Sequence, residues 1–207
     1  SEFFAVGLTA VKLARFAKAA GLIPAGIPGA SEGLVPDTTD TWLALIDHFD
    51  LEIPEGFDEV IVIDHAHKIL KESIATLDTI DFDDQLLMTF AYGVPVRIFD
   101  RVFVDESQDL SPLQHELVAR ALKPTGQLVA VGDECQAIYG FRGADSDSMS
   151  KLQKRFDCVK LPLHVSYRCP QEVVKVAQNY VKLIVWKGGE SRGANLWRGL
   201  VRVAPAP

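Results

Sequence analysis

The amino-acid sequence predicts an α/β fold: a partial parallel sheet with flanking helices, joined to a mainly helical N-terminal subdomain. Three observations predict it. Of the 207 residues, 48% are hydrophobic, which supports a packed core and argues against disorder. Up to about residue 95, apolar positions recur at three- and four-residue steps, the period of a helix. Beyond residue 100 the order becomes strand, helix, strand, helix, and that alternation builds a parallel sheet.

The elements follow in order. Phe4, Leu8, Val11, Ala14 and Ala17 mark the inner stripe of a first helix, and Gly21 is placed to stop it. Residues 21–36 hold four Gly and three Pro and read as a connector. A second helix starts near residues 37–40, with Trp42, Leu45, Ile46 and Phe49 inward. Residues 58–77 read as a helix, although Glu59-Val60-Ile61-Val62-Ile63 also suits a strand. Residues 81–92 read as a further helix. Val102, Phe103 and Val104 then form a short buried strand that ends in acids. Ser111-Pro112-Leu113-Gln114 is a helix start: Ser111 caps, Pro112 suits the first turn, and Gln114 completes a capping box. Leu113, Leu117, Val118 and Ala121 give that helix its buried stripe. Residues 128–131 form a second strand that ends at Gly132-Asp133. A helix over 146–156, a strand over 158–161 and a helix opened by Pro170 complete the series. Val173, Val174, Ala177, Val181 and Ile184 lie inside the last of these. Residues 187–207, with four Gly and two Pro, read as a tail or the start of a further domain. The expected domains are therefore 1–77, 78–186 and 187–207.

Composition restricts the classes of function. No apolar run approaches the roughly 20 residues of a membrane helix, so no membrane partner is expected. Ser1-Glu2-Phe3-Phe4 has no basic leader and no Met, and the sequence reads as a trimmed or excised piece. Cys135, Cys158 and Cys169 are odd in number and lack paired spacing. They fit buried or partly buried reduced thiols in a cytoplasmic protein better than a disulfide or zinc framework. The net charge of −7 is unevenly distributed. Residues 1–150 carry ten Lys/Arg against twenty-five Asp/Glu, whereas residues 151–207 carry eleven against three. The basic C-terminal part suits a polyanion and also suits plain solvated surface. His65 and His67 are two apart, so they do not share a helix face and read as ordinary polar positions.

Three segments carry chemistry. In Asp105-Glu106-Ser107-Gln108-Asp109, two carboxylates follow a strand at the sheet edge where α/β proteins bind ligands. One suits Mg²⁺, which takes hard oxygen donors, and the other suits orienting or deprotonating a water. An acidic helix-capping turn explains the same residues. In the second segment, Gln136, Tyr139, Phe141 and Arg142 gather just after the next strand. The amide can sense a phosphate and the rings can stack on unpaired bases; a Gly-rich turn with both rings in the core is the alternative. In the third, Tyr167-Arg168 stands just before a helix, as a base-stacking and phosphate-neutralising pair or as plain surface.

In order and spacing, the three segments resemble motifs II, III and IV of superfamily 1 helicases of the UvrD/Rep/PcrA group. Asp105-Glu106-Ser107-Gln108-Asp109 is similar to the Asp-Glu-x-Gln-Asp of motif II. The run from Gly132 to Ala144 is similar to motif III, with Phe141 where Trp is common. Tyr167-Arg168 is similar to motif IV, with Ser166 where Asn is usual. Asp81-Phe82-Asp83-Asp84 resembles the helix before motif II. The resemblance covers residues 78–183 and implies a partial RecA-like ATPase domain of an ATP-dependent helicase that moves on single-stranded DNA. It implies Asp105 as Mg²⁺ ligand, Glu106 as catalytic base and Gln136 as the link between γ-phosphate and DNA. It implies Tyr139 and Phe141 near single-stranded DNA, and Arg142 between the DNA and ATP sites. Tyr167 would stack on adenine and Arg168 would reach the γ-phosphate. Residues 1–77 would be a helical subdomain inserted in the first motor domain. ATP and Mg²⁺ are the implied cofactors, single-stranded DNA and repair or replication proteins the implied partners, and a bacterial or phage-encoded cytoplasmic protein the implied setting.

Residues 1–207 depart from the family in three respects. They contain no Gly-x-x-x-x-Gly-Lys-Ser/Thr, the loop that cradles nucleotide phosphates. The upstream adenine-contacting glutamine segment and the second motor domain also have no match. This stretch alone is therefore expected to hydrolyse ATP poorly. The alternative is a non-catalytic DNA- or protein-binding module descended from a helicase. Ser107-Gln108 and the Gly-Asp-x-x-Gln run speak against a DEAD-box RNA helicase.

Overall fold

The computed structural model describes residues 2–137, 147–163, 165–181, 184–186 and 198–201. They fall into two compact units. One takes in residues 2–97 and 110–120, the other residues 98–109, 121–137 and the described residues after 146.

The first unit is helical: α1 (Glu2–Ala20), α2 (Thr39–His48), α3 (Glu59–Ala75) and α4 (Phe82–Ala91), with most of α5 (Pro112–Ala121). Each start has a chemical cause. Thr38 caps α2 by accepting from the Thr41 amide, and Asp58 caps α3 by accepting from the Ile61 amide. Residues 59–63 are thus helix, and the strand alternative falls. Asp81 and Asp84 form a reciprocal capping box on α4. On α5, the Ser111 amide donates to Gln114 Oε1 at 2.8 Å and the Gln114 amide donates to Ser111 Oγ at 3.3 Å, the box the sequence predicts.

The core of this unit is built from Val6, Ala10, Leu13, Ala14 and Ala17 of α1 against Val62, Ala66, Leu70 and Ile74 of α3. Trp42, Ile46, Leu87, Phe90 and Leu113 join them. The inner stripe predicted for α1 holds at Ala14 and Ala17, which are buried, and needs correction in its first half. Phe4, Leu8 and Val11 are exposed, at 68%, 51% and 45%. The helix is apolar on both sides, so helical spacing fits two frames. The frame that packs is the one with Ala10, Ala14 and Ala17, whose small side chains let α3 come close. The stripe of α2 is as predicted, with Phe49 stacked on Phe16 at 4.0 Å between ring centroids. On α5, Leu113 is buried while Leu117, Val118 and Ala121 are half-buried.

A charged knot sits at the end of α1. Lys18, 4% exposed, pairs with Asp84 Oδ1 at 2.7 Å and Asp81 Oδ2 at 3.0 Å, and Asp84 also accepts from Ser73 at 2.7 Å. A second polar node fastens the 21–36 connector. Asp37 accepts from Trp42 Nε1 at 3.0 Å and from the Ala25 amide at 3.2 Å, and pairs with His67 Nε2 at 2.9 Å. His65 meets the Ile61 carbonyl of its own helix.

The second unit holds β1 (Phe99–Val104), β2 (Leu122–Gly132), α6 (Ser148–Phe156), β3 (Val159–Pro162), β4 (Val165–Ser166), α7 (Gln171–Ala177), β5 (Val185–Trp186) and β6 (Arg198–Val201). β1 and β2 are parallel, with Val104 opposite Ala130, as strand-helix-strand order requires. The four-stranded order is β1-β2-β6-β3, and β6 runs antiparallel to both its neighbours. β4 and β5 form a separate parallel pair. The chain is α/β, with helices beside a sheet whose β1–β2 pair is parallel.

Three expectations change here. β1 is not a buried strand: it ends the sheet, and Phe103 is 72% exposed while only Val104 is buried. α7 is shorter than predicted, with Val174 buried and Val173 exposed. Cys135 is exposed, whereas Cys158 is buried and Cys169 half-buried. Among the described residues, no helix is long and apolar enough to cross a membrane.

Candidate functional site

Parallel pairing decides where the site lies. Because β1 and β2 run in one direction, both chains leave the sheet at the same edge, β1 into Asp105 and β2 into Asp133. Asp105 and Glu106 are exposed there. The Asp105 Oδ1 atom accepts from the Glu106 amide at 2.9 Å. Glu106 has φ of 49°, the left-handed region that costs a residue with a Cβ about 1 kcal/mol or more. A single 3-10 turn, Ser107–Asp109, follows directly.

The side chain of Gln108, 3% exposed, is the hub of that turn. Its Nε2 donates to Glu106 Oε2 at 2.8 Å and to Asp109 Oδ2 at 3.3 Å. Its Oε1 accepts from the Asp133 amide at 3.0 Å. Asp133 continues the chain, with Oδ2 accepting from Gln136 Nε2 at 2.8 Å and Oδ1 from the Cys135 amide at 3.0 Å. Glu106 and Gln136, thirty residues apart, are therefore joined through two intermediate residues, the Gln108 side chain and the backbone amide and carboxylate of Asp133. Gly132 makes the approach possible: a Cβ there would collide with Gln108 Oε1 and stand 2.8 Å from Ser107 Oγ. Ser148, at the start of α6, donates to the Ser107 carbonyl at 2.6 Å and pins the turn from the other side.

The edge is acidic, and one of its carboxyls, Asp109, responds to its surroundings. Burial, then the nearby Glu106 charge, pushes the Asp109 carboxyl above its ordinary value, with the Gln108 amide pulling the other way. Among the described residues, Ser107 Oγ and Asp109 Oδ1 are buried without a hydrogen-bond partner. Glu134 pairs with Lys160 at 3.0 Å. Asp105 offers one exposed carboxylate at this edge, a hard-oxygen donor that would suit an ion keeping several of its own waters, such as Mg²⁺. Among the described residues, no group of three or more His, Cys, Asp or Glu is gathered to hold a metal ion.

Tyr167 and Arg168 stand directly after β4, both exposed, at a turn where Ser166 Oγ accepts from the Cys169 amide at 3.4 Å. Tyr167 takes no part in the hydrogen bonds that run from Glu106 to Gln136. Tyr139, Phe141 and Arg142 lie outside the described residues. The sequence places Gln108 and Gly132 within motifs but assigns no role to either, and it does not single out Ser148. The signal for the first was present, a Gln one residue beyond the Asp-Glu-Ser run; the role of Gly132 shows only when the neighbouring turn is in place.

A family model described as the UvrD/REP helicase N-terminal domain matches residues 58–157. DNA helicase II of Haemophilus influenzae is 31% identical over 99 residues, 48% of this chain and 13% of that protein. ATP-dependent DNA helicase PcrA of Bacillus subtilis is 27% identical over 174 residues, 72% of this chain and 22% of that protein. ATP-dependent DNA helicase UvrD2 of Mycobacterium tuberculosis is 31% identical over 132 residues, 59% of this chain and 19% of that protein. The chain thus spans less than a quarter of the length of these relatives. The matched stretch contains the Glu106–Gln136 chain of hydrogen bonds, and over that stretch the chain is similar to the N-terminal domain of UvrD/REP helicases.

Proposed function

We propose that residues 1–207 are part of an ATP-dependent DNA helicase and carry the metal and water end of its nucleotide site. In this reading residues 1–77 are the inserted helical subdomain and residues 78–186 the partial ATPase domain. Asp105 holds Mg²⁺, which when bound neutralises phosphate charge. Glu106 orients the attacking water and takes its proton. Gln136 senses the γ-phosphate, Arg168 neutralises charge on the transferred group, and Tyr167 stacks on adenine. Tyr139 and Phe141 lie along single-stranded DNA, with Arg142 between the two sites.

The observation that carries this reading is the continuous path Glu106–Gln108–Asp133–Gln136. It gives a group that activates water a mechanical connection to a group placed to sense the nucleotide. An acidic capping turn alone has no need of such a path.

The test is ATP hydrolysis by the whole protein as its gene encodes it, with Mg²⁺ and with or without single-stranded DNA. Hydrolysis stimulated by single-stranded DNA is expected. Single-stranded DNA binding with no hydrolysis at all would instead identify a non-catalytic binding module.

A further inference from the structure

Gln108 is almost fully buried beside an exposed carboxylate, and its side chain bonds in two directions. We propose that Gln108 is a positioning residue for Glu106: its amide nitrogen holds one carboxylate oxygen of Glu106 while its amide oxygen holds the turn at Asp133. The inference rests on the function proposed above.

The geometry supplies each link. Glu106 sits in left-handed backbone, so its carboxylate leaves the chain in a direction that few residues of its type adopt. An exposed glutamate samples several rotamers, and a directed N–H at 2.8 Å on Oε2 selects one of them. Among the described residues Oε1 has no partner, so it is the oxygen left to accept a proton from a water. The same planar amide accepts from the Asp133 amide at 3.0 Å. Donor and acceptor on one amide are rigidly spaced, so a shift of Asp133 is passed to the Glu106 carboxylate. Gln136 is bonded to Asp133 Oδ2, and its movement enters the same path. Two further features fit a device rather than filler. Gly132 leaves the room that Gln108 Oε1 occupies, and Ser148 fixes the backbone of the turn from which Gln108 projects.

Two variants separate positioning from mere structure. Gln108→Glu keeps an oxygen for the Asp133 amide but replaces the donor with a carboxylate facing Glu106. Gln108→Ala removes both bonds. In the whole protein, each is expected to lower kcat for DNA-stimulated ATP hydrolysis by about 10- to 100-fold, the usual loss when a supporting hydrogen bond to a functional group is removed. The KM for ATP is expected to stay within about threefold, because the bond acts on the water and not on nucleotide binding. In the 207-residue chain, hydrogen exchange at the Asp133 amide should stay slow in Gln108→Glu and become fast in Gln108→Ala. A Gln108→Glu protein with wild-type kcat overturns the inference. So does a loss of kcat matched by an equal rise in KM and a lower melting temperature, which marks a structural role alone. A wild-type protein without ATPase activity overturns the proposed function and this inference with it, whereas a wild-type ATPase indifferent to Gln108 overturns only the inference.

Discussion

Gly132 shows how much a single atom decides at this site. Adding one methyl group places a Cβ against Gln108 Oε1 and Ser107 Oγ, both belonging to a buried turn. Gly132→Ala is expected to destabilise the chain by about 1–3 kcal/mol, the cost of overpacking, as read from a urea melt of the 207-residue protein. A variant as stable as wild type contradicts the close packing described here. At this scale the sequence is only partly legible. Asp105, Glu106 and Gln136 can be singled out from it because their chemistry is local: carboxylates after a strand, and an amide after the next one. Gln108 is visible there as a motif residue, but its role is not, because that role comes from an amide twenty-five residues away that pairing of β1 with β2 brings to 3.0 Å.

At the scale of the element, the helices of the first unit were legible wherever caps and spacing agree. α3 and α4 start within one residue of the predicted ranges 58–77 and 81–92, and the structure shows why: Asp58 and Asp81 cap them. What spacing could not decide was which face of α1 packs, since Phe4, Leu8 and Val11 compete with Val6, Ala10 and Leu13 for the same core. Volume settles that choice, and volume is a property of the partner helix. The knot of Lys18 with Asp84 and Asp81 was likewise hidden, because its members are more than sixty residues apart. Lys18→Ala strands Asp84 in the core and is expected to cost about 3–5 kcal/mol, as for other buried ion pairs that lose one partner. Arg15→Ala, whose pair with Asp83 is solvent-exposed, is expected to change stability by less than about 1 kcal/mol. Equal effects in chemical denaturation contradict this assignment. Asp37 adds a dependence on pH. Burial acts to raise its pKa, but hydrogen bonds from Trp42, His67 and the Ala25 amide, with the charge of His67, outweigh burial and hold it below 3.8. A lowered pKa means the folded state favours the ionised form. That stability is present above the ordinary value and is lost as pH falls through the lowered one. Asp81 shifts in the same direction. The stability of the wild-type chain should therefore decline below about pH 4 more steeply than that of Asp37→Asn, in melts taken from pH 6 to pH 2.5.

Across the whole molecule, charge and composition carry a different kind of information. The contrast between an acidic stretch to residue 150 and a basic one after it is visible in the sequence alone, and it suits both a C-terminal part that meets a polyanion and plain solvated surface. The α/β class and the parallel β1–β2 pair were legible from the alternation of elements. The antiparallel β6 was not, because it comes from a Gly-rich stretch with little periodicity. The absence of a phosphate-binding loop from residues 1–207 leads to a prediction at this scale. The isolated 207-residue chain should hydrolyse ATP at least about 10²-fold more slowly than the whole protein, since the loop positions the phosphates that react. Comparable rates contradict it. The central claim, that Glu106 is the group that handles the attacking water, has a more direct test. Glu106→Gln in the whole protein keeps the shape of the side chain and removes the base. The kcat for DNA-stimulated ATP hydrolysis is expected to fall by about 10²-fold or more, with affinity for single-stranded DNA unchanged within about threefold. A Glu106→Gln protein that hydrolyses ATP at the wild-type rate contradicts that claim.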